Sequence, residues 1–292
     1  MNKKELLQWG VQKLQESNIE DSFLKARLLA EYILKQTRSE YLINELQKVG
    51  KEKEEAYRKG IEELIQGTPI QYITYEQYFM GLCFYVNENV LIPQPDTEIL
   101  VEKTIEVVKN MQHKSNYNDK ISILDIGTGS GAIAISLTKQ LNNVQVMATD
   151  ISEEALKVAQ KNAKEHQVNI QFIQSDLFQE LKEEQFDIIV SNPPYIETNV
   201  ISTLSKEVQS EPLLALDGGE DGLDFYRSIL QNASKYLKEN GYLLLEIGYN
   251  QGKALLELAN QNNWKVESNQ VLQDLNGNDR VIILQDDTMI DR

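Results

Sequence analysis

Hydrophobic positions recur at helical spacing through residues 1–67, and from residue 121 they fall into short runs separated by longer amphipathic stretches. In the first part Leu7, Val11 and Leu14 share one predicted face. Ser22 is placed to cap a second helix with Ala26, Leu29, Ile33 and Leu34 inward. Ser39 is placed to cap a third with Ile43 and Leu46 inward and Gly50 past its end. A fourth runs through Ala56, Ile61, Leu64 and Ile65 and stops at Gly67, with Pro69 beyond. Aromatic residues then crowd around Gly81 (Tyr72, Tyr75, Tyr78, Phe79, Phe84, Tyr85), which predicts a hairpin. From residue 121, strands are predicted at Ile121–Ile126, Val144–Ala148, Ile170–Ile173, Phe186–Val190, Tyr242–Ile247 and Val281–Leu284. Helices are predicted at Ala132–Leu141, Glu153–His166, Phe225–Lys238 and Gly252–Asn262. Alternation of this kind predicts right-handed crossovers and a mostly parallel sheet with helices on both faces. The fold class is therefore α/β, preceded by a small helical bundle. The domains are expected at 1–75 (bundle), 76–120 (hairpin and connecting helix) and 121–292 (α/β domain).

Composition narrows the chemistry. The 292 residues hold one cysteine and two histidines, so no intrachain disulfide and no Cys/His zinc site is expected. No apolar run approaches the roughly 20 residues of a membrane helix, and the first ten residues lack the apolar centre of a signal peptide. A soluble, cytoplasmic monomer is expected. The net charge of −16 is unevenly spread: residues 1–86 carry 12 basic and 13 acidic side chains, residues 87–292 carry 17 and 32. A half-molecule at net −15 is a poor autonomous binder of phosphate backbones, so a neutral group, a cation or a protein partner fits better.

In open α/β sheets ligands bind beyond the carboxyl ends of the strands, so those positions carry the functional reading. After the first strand, Gly127-Thr128-Gly129-Ser130-Gly131 lets the backbone turn tightly and approach a ligand ahead of a helix N-terminus. After the second comes Asp150, 23 residues beyond Gly127, where a carboxylate accepts from ribose hydroxyls. Ser152 can cap the following helix, which leaves Asp150 for a ligand. These two features fit a nicotinamide dinucleotide equally well. After the third strand, Asp176 and Leu177 suit an adenine, with its exocyclic amine and flat faces.

After the fourth strand stands Asn192-Pro193-Pro194-Tyr195. Prolines fix the backbone and have no N–H. Their carbonyls, the Asn192 oxygen and the Tyr195 ring form a site for a planar –NH₂: acceptors take its hydrogens and the ring stacks on its plane. A carboxamide nitrogen is a poor nucleophile. Acceptors on both hydrogens return electron density and aim its lone pair at an electrophile such as a sulfonium methyl, so catalysis comes chiefly from positioning and electrostatics. No strong base is required, and no histidine stands in these segments.

Together these residues resemble class I S-adenosyl-L-methionine-dependent methyltransferases that modify planar amino nitrogens. Leu91-Ile92-Pro93-Gln94-Pro95-Asp96-Thr97-Glu98, Gly67–Ile73, Glu211–Leu216, Asp221-Gly222-Leu223 and Asp274–Val281 narrow the resemblance to bacterial peptide-chain release factor glutamine methyltransferases, over essentially the whole chain. The resemblance implies methylation of the glutamine amide in the Gly-Gly-Gln motif of class 1 release factors. It implies Gly127–Gly131 at the cofactor's methionine part, Asp150 at its ribose, and Asp176 with Leu177 at its adenine. Asn192, Pro193, Pro194 and Tyr195 would bind the glutamine, with Asn192 also near the methyl. Two positions depart from the family pattern: Gln94 replaces an arginine, and Leu177 replaces an aromatic found in some relatives. The alternatives are an amino-methyltransferase acting on adenine in DNA or guanine in rRNA, a silent scaffold, and an NAD dehydrogenase. The charge balance, the intact Asn192–Tyr195 loop and the lack of a hydride-transfer acid/base pair weigh against these in turn.

Overall fold

A computed structural model describes residues 1–114, 120–182, 184–265 and 271–285. The chain divides into two compact units, one made of Met1–Glu76 with Leu204–Ser210, the other of Gln77–Thr203 with Glu211–Arg292.

The first unit holds α1 (Lys3–Glu16), α2 (Ser22–Leu34), α3 (Arg38–Ile43), α4 (Lys51–Gln66) and α5 (Ile70–Thr74). Its core joins Leu6, Leu14, Ala26, Leu29, Ala30, Leu34, Tyr41, Tyr57, Ile61 and Leu64. The buried line on α1 is Leu6, Gly10 and Leu14, one residue from the predicted Leu7 and Val11, which are only half-buried. Gly10 sets that rotation: a Cβ there would lie 2.1 Å from the Tyr57 hydroxyl, which reaches past it to the Ala26 carbonyl. Ser22 does not cap α2. Asp21 occupies the cap position, and the Ser22 hydroxyl donates to Ile19. On α4, Ala56 is exposed and Tyr57 takes the inward place.

The third predicted helix differs most. Thr37, not Ser39, caps α3 through a reciprocal box with Glu40, and the helix ends at Ile43. Tyr41 is buried with its hydroxyl on the Lys3 carbonyl. Leu42, Ile43 and Leu46 are 60%, 77% and 70% exposed. A six-residue helix shows the core less than one face, and Tyr41 alone fills it. The Leu204–Ser210 segment belongs to this unit: Glu207 pairs with Lys25, and the Ser210 hydroxyl donates to the Gly67 carbonyl at 3.1 Å. Gly67 has φ +104°, and a Cβ on it would sit 2.5 Å from the Lys206 side chain, so both its conformation and its packing require glycine.

The second unit opens with a hairpin of β1 (Glu76–Phe79) and β2 (Leu82–Tyr85). Met80 and Gly81 form its turn, both at positive φ, the conformation that matches strand twist in a two-residue loop. Then follow α6 (Thr97–Lys114), β3 (Ile121–Ile126), α7 (Ala132–Gln140), β4 (Val144–Asp150), α8 (Glu153–Glu165), β5 (Gln171–Gln174) and β6 (Phe186–Ser191). Three one-turn helices come next, α9 (Thr198–Ile201), α10 (Lys206–Gln209) and α11 (Leu213–Leu216), of which α10 lies in the first unit. The chain closes with α12 (Asp224–Asn232), β7 (Leu237–Glu246), α13 (Gly252–Gln261), β8 (Val271–Gln273) and β9 (Asp279–Gln285).

The seven-stranded sheet has the order β5-β4-β3-β6-β7-β9-β8. Strands β3 to β7 pair parallel; β9 runs antiparallel between β7 and β8. Buried on both faces, β3 and β6 are mostly apolar without strict alternation, as parallel central strands are, with Ser122, Asp125, Asp187 and Ser191 the polar exceptions. The order reverses between β3 and β6, which opens a crevice at their carboxyl ends. Among the described residues no helix is long and apolar enough to cross a membrane.

Glu211 ties this unit's connections together. It is 8% exposed and accepts the Ile92 N–H at 2.8 Å, and burial pushes its carboxyl up to about 7. A carboxyl raised above its unfolded value favours folding fully below the unfolded value of about 4.5 and loses that contribution as pH rises through about 7. Thermal unfolding followed from pH 5 to pH 8 should show stability falling. In Glu211→Gln the fall should shrink by about 1–3 kcal/mol. Equal slopes in both proteins would remove Glu211 as a source.

Candidate active site

The crevice between β3 and β6 opens into a cleft at their carboxyl ends. Its lining brings together Gly127, Gly129, Asp150, Asp176, Leu177, Asn192, Pro193 and Pro194, eight of the residues singled out from sequence. Thr128, Ser130, Gly131 and Tyr195 do not line it.

The glycine loop is built by backbone hydrogen bonds. The Gly127 and Thr128 N–H groups donate to the Thr149 carbonyl at 2.8 and 2.9 Å. Gly127 and Gly129 sit at φ +70° and +54°, and a Cβ on either would meet nothing within 4 Å. Their bare backbone therefore faces open space in the cleft, a cradle in which a ligand can reach the main chain. Gly131 serves packing instead. It is the N-cap of α7 at φ +83°, and a Cβ there would press on Ala159. Ser130 is buried, its carbonyl held by the Asn162 amide. The Thr128 hydroxyl donates to Asp125, a fully buried carboxyl that burial pushes up to about 7.

Asp150 ends β4 at 9% exposure. Ser152 caps α8 through its side chain, as its position predicts. Asp150 nevertheless has partners of its own: one oxygen accepts the Gly129 N–H at 2.8 Å, the other the Ser152 N–H at 2.9 Å. Burial raises its carboxyl, while these N–H groups favour the anion. The residue thus fixes the glycine loop and still offers a lone pair on each oxygen to the cleft. Asp176 is exposed and accepts from Gln179, and Leu177 lies beside it in the left-handed region.

The Asn192–Tyr195 loop is held from three sides. The Ser191 hydroxyl donates to the Ile126 carbonyl at 2.7 Å, fastening the ends of β6 and β3. Gln251 donates to both the Tyr195 and Gly222 carbonyls. Gly218 and Gly222 allow the close approach of residues 217–222: a Cβ on Gly222 would lie 2.4 Å from the Tyr195 carbonyl oxygen. The Pro194 carbonyl also lies against Gly218, where a Cβ would come within 2.9 Å of it. Of the two proline carbonyls expected to face a ligand, this one is taken up by packing. The Tyr195 ring packs on the sheet core, and burial raises its hydroxyl, which faces Glu246.

Two buried residues behind the loop were given no role in the site from the sequence. Thr97, the first residue of α6, accepts from the Asn192 amide nitrogen at 3.1 Å. Glu246, at the end of β7, is 3% exposed and pushed up to about 7 by burial, with Thr97 and Asn192 hydrogen bonds acting against that shift. A carboxylate interrupting the apolar run Tyr242–Ile247 at the carboxyl end of a strand was the available signal. Two other segments that carry the resemblance support this region. Arg280 bridges Asp96, next to Thr97, and Asp274, whose carboxyl is held down to about 2, chiefly by Asn278. Gln94 has an exposed side chain that donates to the Ile92 carbonyl.

Among the described residues no cluster of His, Cys, Asp and Glu could hold a metal ion. The open glycine backbone and the buried carboxylate beside it fit S-adenosyl-L-methionine, a cofactor with a zwitterionic amino-acid end, a sulfonium and a ribose.

Comparison with known proteins agrees with this geometry. Residues 5–74 match the family described as PrmC N-terminal domain, and residues 104–211 match the methyltransferase small domain. A release factor glutamine methyltransferase from Thermodesulfovibrio yellowstonii is 41% identical, covering 84% of this chain and 86% of that protein. A bifunctional methyltransferase from Rickettsia felis is 38% identical over 96% of this chain, which spans 57% of that longer protein. Among solved structures, a methyltransferase from Pyrococcus furiosus superposes with a TM-score of 0.51 at 19% identity, covering 70% of this chain and 89% of that one, a likeness of fold. With the identity sustained over both chains and the helical and catalytic segments each matched, the protein belongs to the release factor glutamine methyltransferase family.

Proposed function

We propose that this protein transfers a methyl group from S-adenosyl-L-methionine to the side-chain amide nitrogen of the Gly-Gly-Gln glutamine in class 1 peptide-chain release factors. The observation that carries this reading is the single cleft that Gly127, Gly129 and Asp150 share with Asn192, Pro193 and Pro194. When bound, S-adenosyl-L-methionine supplies a sulfonium methyl whose C–S bond breaks as the glutamine nitrogen takes the methyl and releases a proton to water. Gly127 and Gly129 would cradle the cofactor's amino-acid end, Asp150 would accept from its ribose, and Asp176 with Leu177 would border its adenine. Asn192 Oδ1 and the Pro193 carbonyl accept the two amide hydrogens and turn the nitrogen lone pair toward the methyl. Pro194 and Tyr195 hold the loop rigid, so the acceptors need no reorganisation during reaction. A donor amide is required, so a carboxylate substrate leaves the acceptors facing oxygen atoms.

The test is an assay with labelled methyl donor. Label should enter a release factor, should vanish when its motif glutamine is replaced by glutamate, and should not enter DNA or rRNA. Label on nucleic acid in preference to the release factor would overturn the reading.

Residues 1–75 are proposed to dock the protein substrate, and their exposed apolar side chains Leu42, Ile43 and Leu46 support this. Ile43→Lys with Leu46→Lys should raise KM for intact release factor at least fivefold and leave the rate on a short glutamine peptide unchanged. Equal KM values for the intact protein would dismiss this surface.

A further inference from the structure

The methyl-transfer scheme leaves one buried carboxylate without a task. Strands β6 and β7 pair in parallel as far as Ser191 beside Leu245, and the next step sets Asn192 beside Glu246. Glu246 does not line the cleft, and its Oε2 is buried without a hydrogen-bond partner. Burying a charged group is costly, so such a residue needs a reason to be there. Thr97, 5% exposed, stands at the same place: its oxygen accepts from Asn192 Nδ2 at 3.1 Å, and its hydroxyl neighbours the Glu246 carboxyl and favours its anion.

We infer that Thr97 and Glu246 are positioning residues that fix which way the Asn192 amide faces, and thereby select a carboxamide nitrogen as the methyl acceptor; this rests on the glutamine reading above.

The logic is one of donor and acceptor direction. A carboxylate only accepts hydrogen bonds. Beside it the Thr97 hydroxyl must donate, which leaves its lone pairs facing Asn192. Those lone pairs, and the carboxylate itself, attract the Asn192 –NH₂. Asn192 Oδ1 is then turned away from this pair and toward the cleft that the residue lines. In the reversed orientation the Asn192 –NH₂ would meet the substrate –NH₂, donor against donor, and no hydrogen bond could form. Nitrogen and oxygen of an amide have nearly the same shape, so packing alone cannot make this choice; an acceptor-only partner can. Around Glu246, Arg280 favours the anion and Asp96 opposes it, while the neighbouring Tyr195 hydroxyl is held protonated.

The experiment compares the full-length wild type with Thr97→Val, Thr97→Ser, Glu246→Gln and the Thr97→Val/Glu246→Gln double variant at pH 8.5, with saturating cofactor and release factor. Thr97→Val and Glu246→Gln should each lower kcat at least tenfold. The double variant should be no slower than the slower single, because the two act in series. Thr97→Ser, which keeps the hydroxyl, should stay within threefold of wild type. Cofactor Kd should stay within threefold throughout, which also certifies folding. An independent readout is exchange of the Asn192 side-chain amide protons with water, assigned in ¹⁵N spectra by their loss in Asn192→Asp. Thr97→Val and Glu246→Gln should each speed it at least tenfold. Wild-type kcat with slow exchange in either single variant, or losses that multiply in the double, would overturn the inference. A wild type that does not methylate glutamine would instead overturn the substrate reading, and the exchange rates would still decide the orientation.

Discussion

Asn192→Ala should lower turnover on a release factor by about a hundred- to a thousandfold, the scale of roughly 2.7–4 kcal/mol for one acceptor or donor in a pre-organised site. The loss should fall on kcat. The glycine backbone and Asp150 carry most of the cofactor, so its affinity should move severalfold at most. Asn192→Asp should lose substantial activity but retain more than alanine, because a carboxylate still accepts from the substrate amide. The structure adds a reason for the loss: the aspartate would lie beside Glu246 and would bring a second acceptor to Thr97 Oγ1, where Asn192 now brings a donor. Single-turnover rates together with cofactor titration check the split. An alanine variant with wild-type turnover would dismiss the amide-holding mechanism.

Asp150→Ala should weaken cofactor binding by about 1.5–3 kcal/mol, roughly 10- to 150-fold in Kd, the scale of a charge-assisted hydrogen bond. Two consequences of its removal add together. The ribose loses an acceptor, and the Gly129 N–H loses the partner that holds the loop at 2.8 Å. Asp150→Asn should do no better than alanine. Both carboxylate oxygens accept main-chain N–H groups, from Gly129 and Ser152, so an amide nitrogen would set donor against donor at one of them. Calorimetric titration with S-adenosyl-L-methionine measures both variants, and an asparagine variant that binds like wild type would show that neither the charge nor the second acceptor oxygen matters.

Much of the catalytic unit was legible because its strands are buried on both faces. Ile121–Ile126 appears as a mostly apolar run, broken by Ser122 and Asp125, and forms β3 with those bounds, and the run at Phe186 gains only Ser191. The glycine loop, Asp150 and Asn192 were legible because the end of a parallel strand is where such a sheet places ligands. Elements with little periodicity escaped. Strand β8 has three residues, and α9, α10 and α11 have one turn each. The helix read through Phe225–Lys238 ends at Asn232, after which a 3₁₀ turn leads into β7. Thr97 and Glu246 escaped for a different reason. They stand 95 and 54 residues from Asn192, and only the packing of α6 and the register of β7 bring them to it. In the helical bundle, Ile43 and Leu46 fit a helical face in sequence, yet α3 stops before that face can form.

The Leu204–Ser210 segment gives the molecule an order of assembly. Glu207 lies 182 positions after its partner Lys25, and Ser210 lies 143 after Gly67. During synthesis the N-terminal helices emerge first, and domains tend to fold as they leave the ribosome. Here the first unit lacks its last piece until residue 210 has been made, after every strand from β1 to β6. Closing so long a loop slows the step without greatly lowering final stability, since loop entropy grows only with the logarithm of length. Gly67 must therefore wait uncovered by Lys206 and Ser210 while the catalytic strands emerge. A ribosome stalled with residues 1–190 outside the tunnel should display a bundle more open to protease at Gly67 than one stalled after residue 215.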